Sequence, residues 1–308
     1  APQRFGFVDR RVLLTGEAAV LASKNGRLSF LSALRLLVRM CSHVDVVVPP
    51  SLGALFTEAI ALAEHMSEPG QVRFGGDAPA DYDAVLSVGV TARPHLPWTV
   101  VNSNGWLARV SSGATHLAAS TEQVNAIGAY AAACLGTAEV FKRLVDLRAE
   151  RGVLLDHVMY SLDSYRTGED SAGPELPEDI PVDVLLVGAG AIGNGIALLL
   201  GQLPCAGHVT VVDGQAYEAP NLGTCVLVGP SDIGRGKAEA LAQFLEGPIT
   251  TSFVRARLRE FTDRLGRDLP FPPVVMSALD SVASRHEVQD LWPDLVIDAA
   301  VGEFLAQA

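Results

Sequence analysis

The chain has 308 residues, 35 acidic against 23 basic, and a formal net charge of −12. With 49% of residues hydrophobic, it can bury the core of one large domain or two ordinary ones. The acidic balance argues against nucleic acid or an anionic membrane surface as the main partner, and suits a soluble enzyme to which a basic partner could be steered.

The amino-terminal run APQRFGFVDR is polar rather than signal-like, and the chain begins at Ala1 without methionine, so a processed or trimmed start is expected. Val12–Gly16 reads as a buried strand, followed by the helical pattern NGRLSFLSALRLLVRM. A second strand spans His43–Val48, with His43 at its entry. DAVLSVG (83–89) and VVNSNGW (100–106) read as further strands. NAIGAYAAACLGTAEVFKRLV (125–145) is a long, nearly all-apolar helical pattern, expected to be buried. Residues 164–181, rich in Gly, Pro, Ser and acids, are the linker candidate. The expected division is 1–163, linker 164–181, and 182–308.

The second half repeats the order of the first. Val184–Gly188 matches Val12–Gly16, and His208–Asp213 matches His43–Val48, with His208 again at the entry. PVVMSAL (273–279) matches DAVLSVG, and VIDAAVGEF (296–304) loosely matches VVNSNGW. The expected fold is α/β, with two Rossmann-like parallel-sheet units, the first degenerate and the second nucleotide-binding.

The copies differ where ligand chemistry belongs. Gly188, Gly190 and Gly193 form G-x-G-x-x-G, whereas the first half has Gly16, Ala18 and Leu21. Side chains at the latter two positions obstruct a phosphate at the helix start. Asp213 comes about 20 residues after Gly193, the spacing of a ribose-binding acid. Val48 holds the corresponding place in the first half.

Turn and acid alone fit an NAD(P)-dependent oxidoreductase equally well. The residues after Asp213 point elsewhere: Asn221-Leu222, then Asp232-Ile233-Gly234-Arg235-Gly236-Lys237 opening the helical pattern KAEALAQFLEG. A lysine at a helix start adds positive charge to the oriented N–H groups there and suits a triphosphate. Asp280, just past an apolar strand, lies where parallel sheets bind ligands and can hold Mg²⁺ near such a triphosphate, with Arg285 placed to orient it.

GAGAIG, VVDG, NLG, GRGK and ALDSVASR together resemble the ThiF/HesA/MoeB superfamily, the ubiquitin-activating type of adenylyltransferase, over roughly residues 182–300. The first half resembles the inactive adenylation-like repeat of fused or heterodimeric members. The resemblance implies an enzyme that uses ATP and Mg²⁺ to adenylate the C-terminal carboxylate of a ubiquitin-like or small sulfur-carrier protein, or of a peptide. Gly188, Gly190 and Gly193 would cover the phosphates and Asp213 would hold the ribose. Asn221 and Lys237 would contact phosphates, and Asp280 would bind the metal. The implied assembly is a pseudo-dimer within the chain or a homodimer.

Two departures stand out. Thr224 occupies the place of the arginine in the family's N-L-x-R, and Gln215 replaces a second acid. Arg235 is the candidate stand-in for that arginine, with Arg27 or Arg35 as an arginine lent by the other half. A non-catalytic nucleotide-binding scaffold is the reading these departures favour.

The cysteines, Cys41, Cys134, Cys205 and Cys225, form no C-x-x-C pair and the histidines no metal spacing. Buried reduced thiols in a cytoplasmic protein are expected. No apolar run reaches the roughly 18–20 residues of a membrane span, and no G-x-S-x-G elbow is present. Nothing in the second half matches the 125–145 helix and no cysteine follows Asp280, so a missing C-terminal part is expected.

Overall fold

The computed structural model describes residues 10–75, 81–94, 96–119, 121–145, 152–247, 249–265, 272–301 and 306–307. Residues 302–304 of the last matched strand lie outside these. Contacts divide the chain into two compact units between Leu176 and Pro177.

The first unit runs β1 (Arg11–Gly16), α1 (Ala18–Leu21), α2 (Lys24–Met40), β2 (His43–Val46), α3 (Gly53–Met66), β3 (Val72–Phe74), β4 (Ala84–Val88), β5 (Trp98–Asn104), β6 (Leu107–Ser111), α4 (Ala126–Leu144), β7 (Val158–Ser161) and β8 (Arg166–Thr167). Its sheet has the order β3-β2-β1-β4-β5-β6-β7-β8. The pairs among β1 to β5 are parallel, and β6 to β8 are added antiparallel. Strand β4 is buried throughout, as a strand covered on both faces must be. The helix expected over 125–145 is α4. Its alanines and Gly136 let it lie close on Leu86 and Val101, while Phe30, Leu34 and Leu37 of α2 fill the same core. Each such fully buried leucine or phenylalanine contributes about 1.5–3 kcal/mol of transfer free energy.

The second unit runs β9 (Ile180–Val187), α5 (Ala191–Leu200), β10 (Cys205–Val212), α6 (Lys237–Leu245), β11 (Ile249–Val254), α7 (Leu258–Leu265), β12 (Val274–Ser277), α8 (Val282–Gln289) and β13 (Leu295–Asp298), then the short antiparallel pair β14 (Ala300–Val301) and β15 (Ala306–Gln307). Its main sheet is wholly parallel, in the order β11-β10-β9-β12-β13. Numbered within each unit, the five parallel strands of the first sheet and the whole of the second read 3-2-1-4-5, the doubly wound order with a ligand crevice where the winding reverses. The two Rossmann-like units thus share topology as well as strand sequence.

Three details differ from the sequence expectations. The stretch 164–181 is not a bare linker. It includes β8 and the start of β9, and its middle is fastened to the first unit: Trp106 Nε1 donates to Pro174 O (2.9 Å) and Gln123 Nε2 to the same carbonyl (2.8 Å). His208 sits within β10 rather than at its entry, its Nε2 3.0 Å from Ser252 Oγ. Cys41, Cys205 and Cys225 are buried, but Cys134 is exposed on α4. Among the described residues no helix is long and apolar enough to cross a membrane.

The first unit closes its own crevice. Between Gly16 and α1, Glu17 folds its carboxylate onto the loop after β4 and accepts from Val90 N (3.0 Å) and Thr91 N (2.6 Å). Above it, Leu117 N donates to Val90 O, and Asn102 Nδ2 donates to Gly89 O and Ala118 O, all at 2.9 Å. Leu117 is buried against Ala92 and Val100. An internal anion and a loop therefore fill this reversal point. Glu17→Ala removes the acceptor of two backbone donors, of which Thr91 N is open to water, and should cost about 0.5–1.5 kcal/mol. Hydrogen exchange at the Val90 and Thr91 amides should accelerate; an unchanged rate would show that the carboxylate is dispensable there.

Candidate nucleotide site

The site grows from the central strand β9. Its last four residues are buried between β10 and β12, and the chain then turns at Gly188, whose φ is +95°. Gly193 in the first turn of α5 presses on the Gly188 carbonyl so closely that a Cβ there would collide with it. The helix can therefore start directly at the strand end. Gly190 caps α5 without a side-chain bond, and the space a side chain would occupy there is open. The amides of the first turn thus face an open approach.

Asp213 closes the adjacent strand. Its Oδ2 accepts from Ala189 N (2.8 Å) and its Oδ1 from Gln215 N (2.7 Å). Each oxygen keeps a lone pair, so the carboxylate is oriented and still able to accept from hydroxyl groups.

A buried amide, Asn194, organises the surroundings. Its Nδ2 lies 3.0 Å from Ala189 O, 2.9 Å from Gly190 O and 3.0 Å from Tyr217 Oη, while its Oδ1 accepts from Leu227 N (3.2 Å). Tyr217 is also buried and donates to Ala189 O (3.3 Å). Burial pushes its phenol well above the ordinary range, against the hydrogen bond from Asn194, so it stays neutral. Neither residue stood out in the sequence. The only available signal was a polar residue next to Gly193 in an otherwise apolar helix start.

Beyond Asp213, residues 215–217 run antiparallel to 234–237, through Lys237 N to Gln215 O, Tyr217 N to Arg235 O and Gly234 N to Tyr217 O, each 2.9 Å. This ladder carries Lys237 inward. The residue is only 7% exposed, and its Nζ donates to Gln215 Oε1 (2.8 Å) and lies 5.9 Å from the Tyr217 ring. Among the described residues no carboxylate pairs with it. A buried ammonium held by one neutral amide is costly unless an anion arrives.

The other candidates sit around this centre. Asn221 lies in the turn Ala219–Gly223, its Oδ1 accepting from Glu218 N (2.9 Å). Thr224 is exposed. Arg235, the candidate stand-in for the missing arginine, is engaged by Asp232 (2.7 Å) and Gln243 (2.6 Å). Asp280 is exposed just past β12, in a segment brought beside the glycine turn by Ala278 N donating to Val187 O (2.8 Å). Arg285 does not orient Asp280. Its Nε donates to Asp298 Oδ2 (2.6 Å), because β13 pairs with β12 and brings Asp298 against α8. Burial disfavours the charged form of Asp298, but Arg285 outweighs it and holds the carboxyl below the usual range. In the first unit Arg27 pairs with Glu58 (2.6 Å), and burial lowers the Arg35 pKa to about 10.

Residues 181–298 match the ThiF family. The second unit is a ThiF-family domain. Residues 11–153 match the BilD N-terminal domain. Across both units the chain is similar to the uncharacterized protein y4jF of Sinorhizobium fredii, 31% identical over 276 residues, covering 87% of this chain and 51% of that protein. The chain is also similar to the NEDD8-activating enzyme E1 catalytic subunit of Caenorhabditis elegans, 29% identical over 134 residues, covering 42% of this chain and 30% of that subunit. Among solved structures it is similar to E. coli MccB, with a TM-score of 0.35 and 21% identity, covering 40% of this chain and 36% of that one. The chain thus spans about half the length of the first of these relatives, and less of the others. In this ThiF-family domain the glycine turn, Asp213, Gln215 and Lys237 form one hydrogen-bonded series, with Asp280 on the neighbouring strand end.

Proposed function

We propose that the ThiF-family domain binds ATP and adenylates a carboxylate at the C-terminus of a ubiquitin-like protein, a small sulfur-carrier protein or a peptide. The observation that carries this reading is the buried Lys237 ammonium, tethered by a neutral amide beside the glycine turn and Asp213. An NAD(P)-dependent oxidoreductase would use the turn and Asp213 but has no task for this charge. Likeness to the NEDD8-activating subunit supports a protein C-terminus as acceptor. Thr224, where the family has arginine, favours the alternative of a scaffold that binds nucleotide without turnover.

In the proposed reaction a carboxylate oxygen attacks the α-phosphorus of ATP, the bond to the bridging oxygen breaks, and pyrophosphate departs with its electron pair. The nucleophile is already ionised near neutral pH, so no general base is required. What the site must do is place the reactants and offset negative charge on the phosphoryl oxygens. Lys237 and the first amides of α5 would do so, with Asp213 accepting from the ribose hydroxyls. Asp280 is a single exposed carboxylate, and among the described residues no group of three or more metal-binding side chains forms a cage. That suits Mg²⁺, which is commonly held by one or two carboxylates plus substrate phosphates, and which would supply further charge neutralisation. The first unit, with its crevice filled by Glu17, is assigned a structural role.

Calorimetric titration with ATP and with NAD⁺, each with and without Mg²⁺, tests the ligand. ATP binding strengthened by Mg²⁺ is expected; selective NAD⁺ binding would overturn the reading. ATP–pyrophosphate exchange stimulated by a carrier protein or peptide separates turnover from a scaffold.

A further inference from the structure

Arg255 comes directly after β11, at the carboxyl edge of the sheet, and nothing in its sequence context marks it. Its place is set by two contacts. The preceding residue, Val254, accepts through its carbonyl from Asp213 N (3.2 Å), which puts Arg255 next to the acid assigned to the ribose. Its side chain then crosses to the GRGK loop. A Cβ on Gly236 would lie 2.7 Å from Arg255 Nε and 3.0 Å from Cζ, so the guanidinium rests on the bare backbone immediately before Lys237. Only glycine at 236 admits this approach. The side chain is 54% exposed, and its one ion pair among the described residues, to Glu239, is long at 3.9 Å. A surface pair of that length holds a guanidinium weakly, so its N–H groups remain available.

We propose that Arg255 supplies the phosphate-binding arginine that Thr224 cannot, contacting the phosphates of the bound nucleoside triphosphate beside Lys237. This rests on the ATP reading above. Arg235 is a poorer candidate because Asp232 and Gln243 occupy it. A guanidinium suits the role, since its planar fork can engage two phosphate oxygens at once.

The test uses the full chain and three variants: Arg255→Gln, Arg255→Lys and, as a surface control, Arg259→Gln. Affinities for Mg²⁺–ATP and for adenosine are measured at two salt concentrations, with melting temperatures as a check on folding. Arg255→Gln should weaken ATP binding by about 10- to 100-fold, as loss of a charge-assisted contact does. It should flatten the salt dependence and leave adenosine binding unchanged. Arg255→Lys should restore part of the loss, and Arg259→Gln should match the wild type. Equal weakening of ATP and adenosine, or no weakening of either, overturns the assignment of Arg255 while the ATP reading stands. A wild-type chain that binds no ATP overturns both.

Discussion

Lys237→Met should abolish most ATP binding without destabilising the unit. Methionine keeps the length of the apolar stem against Tyr217 and removes the charge. Truncating a buried, hydrogen-bonded charge that meets a ligand anion costs about 2–5 kcal/mol, which corresponds to a loss of roughly 30- to 4,000-fold in affinity. In the absence of ligand the sign differs. The wild type buries an ammonium whose partner is the Gln215 amide, so its removal should leave the melting temperature equal or raised. The two effects separate in one thermal-shift series. ATP at about 100 times its Kd should stabilise the wild type by roughly 2.7 kcal/mol and the variant hardly at all. If the variant gains the same shift, Lys237 does not face the phosphates. If it melts far lower without ligand, the lysine is chiefly structural.

Asn194→Leu should have the largest effect on stability. Leucine is similar in volume but removes the Asn194 acceptor from Leu227 N–H and the Asn194 donor from Tyr217 Oη, both in buried surroundings. Each lost contact costs up to about 1–3 kcal/mol, so a total of roughly 2–6 kcal/mol is the expected range. The glycine turn should also loosen, because the Asn194 amide spans the Ala189 and Gly190 carbonyls. Weaker ATP binding should accompany the lower stability, together with faster hydrogen exchange in α5 and at the Ala189 amide. A variant as stable as the wild type would mean that water replaces the Asn194 contacts and that the turn is held by glycine geometry alone.

Much of the architecture is legible along the chain. Short Val- and Leu-rich runs, spaced by helical patterns and repeated in order, imply two parallel α/β units, and the parallel strands of both sheets have the order 3-2-1-4-5. The apolar helix over 125–145 and the glycine turn after Val187 are equally local signals. They can be read because periodicity and turn chemistry involve neighbours a few residues apart. Partner choice is another matter. Arg285 stands five residues after Asp280, yet it bonds to Asp298, because α8 packs beside β13. Lys237 reads as a charge at a helix start suited to phosphate, with nothing local to signal its burial, yet the ladder with 215–217 draws it inside. Arg255 reaches Gly236 only because β11 pairs with β10.

The sequence by itself determined the fold class, the repeat and the residue types available for chemistry. The tertiary structure alone decided which charges are paired, which are buried without a counter-charge, and which crevice is filled by the chain's own Glu17. The physical reason is that burial and ion pairing depend on distances across strands and crossovers, between residues tens of positions apart, and one-dimensional spacing does not encode those distances.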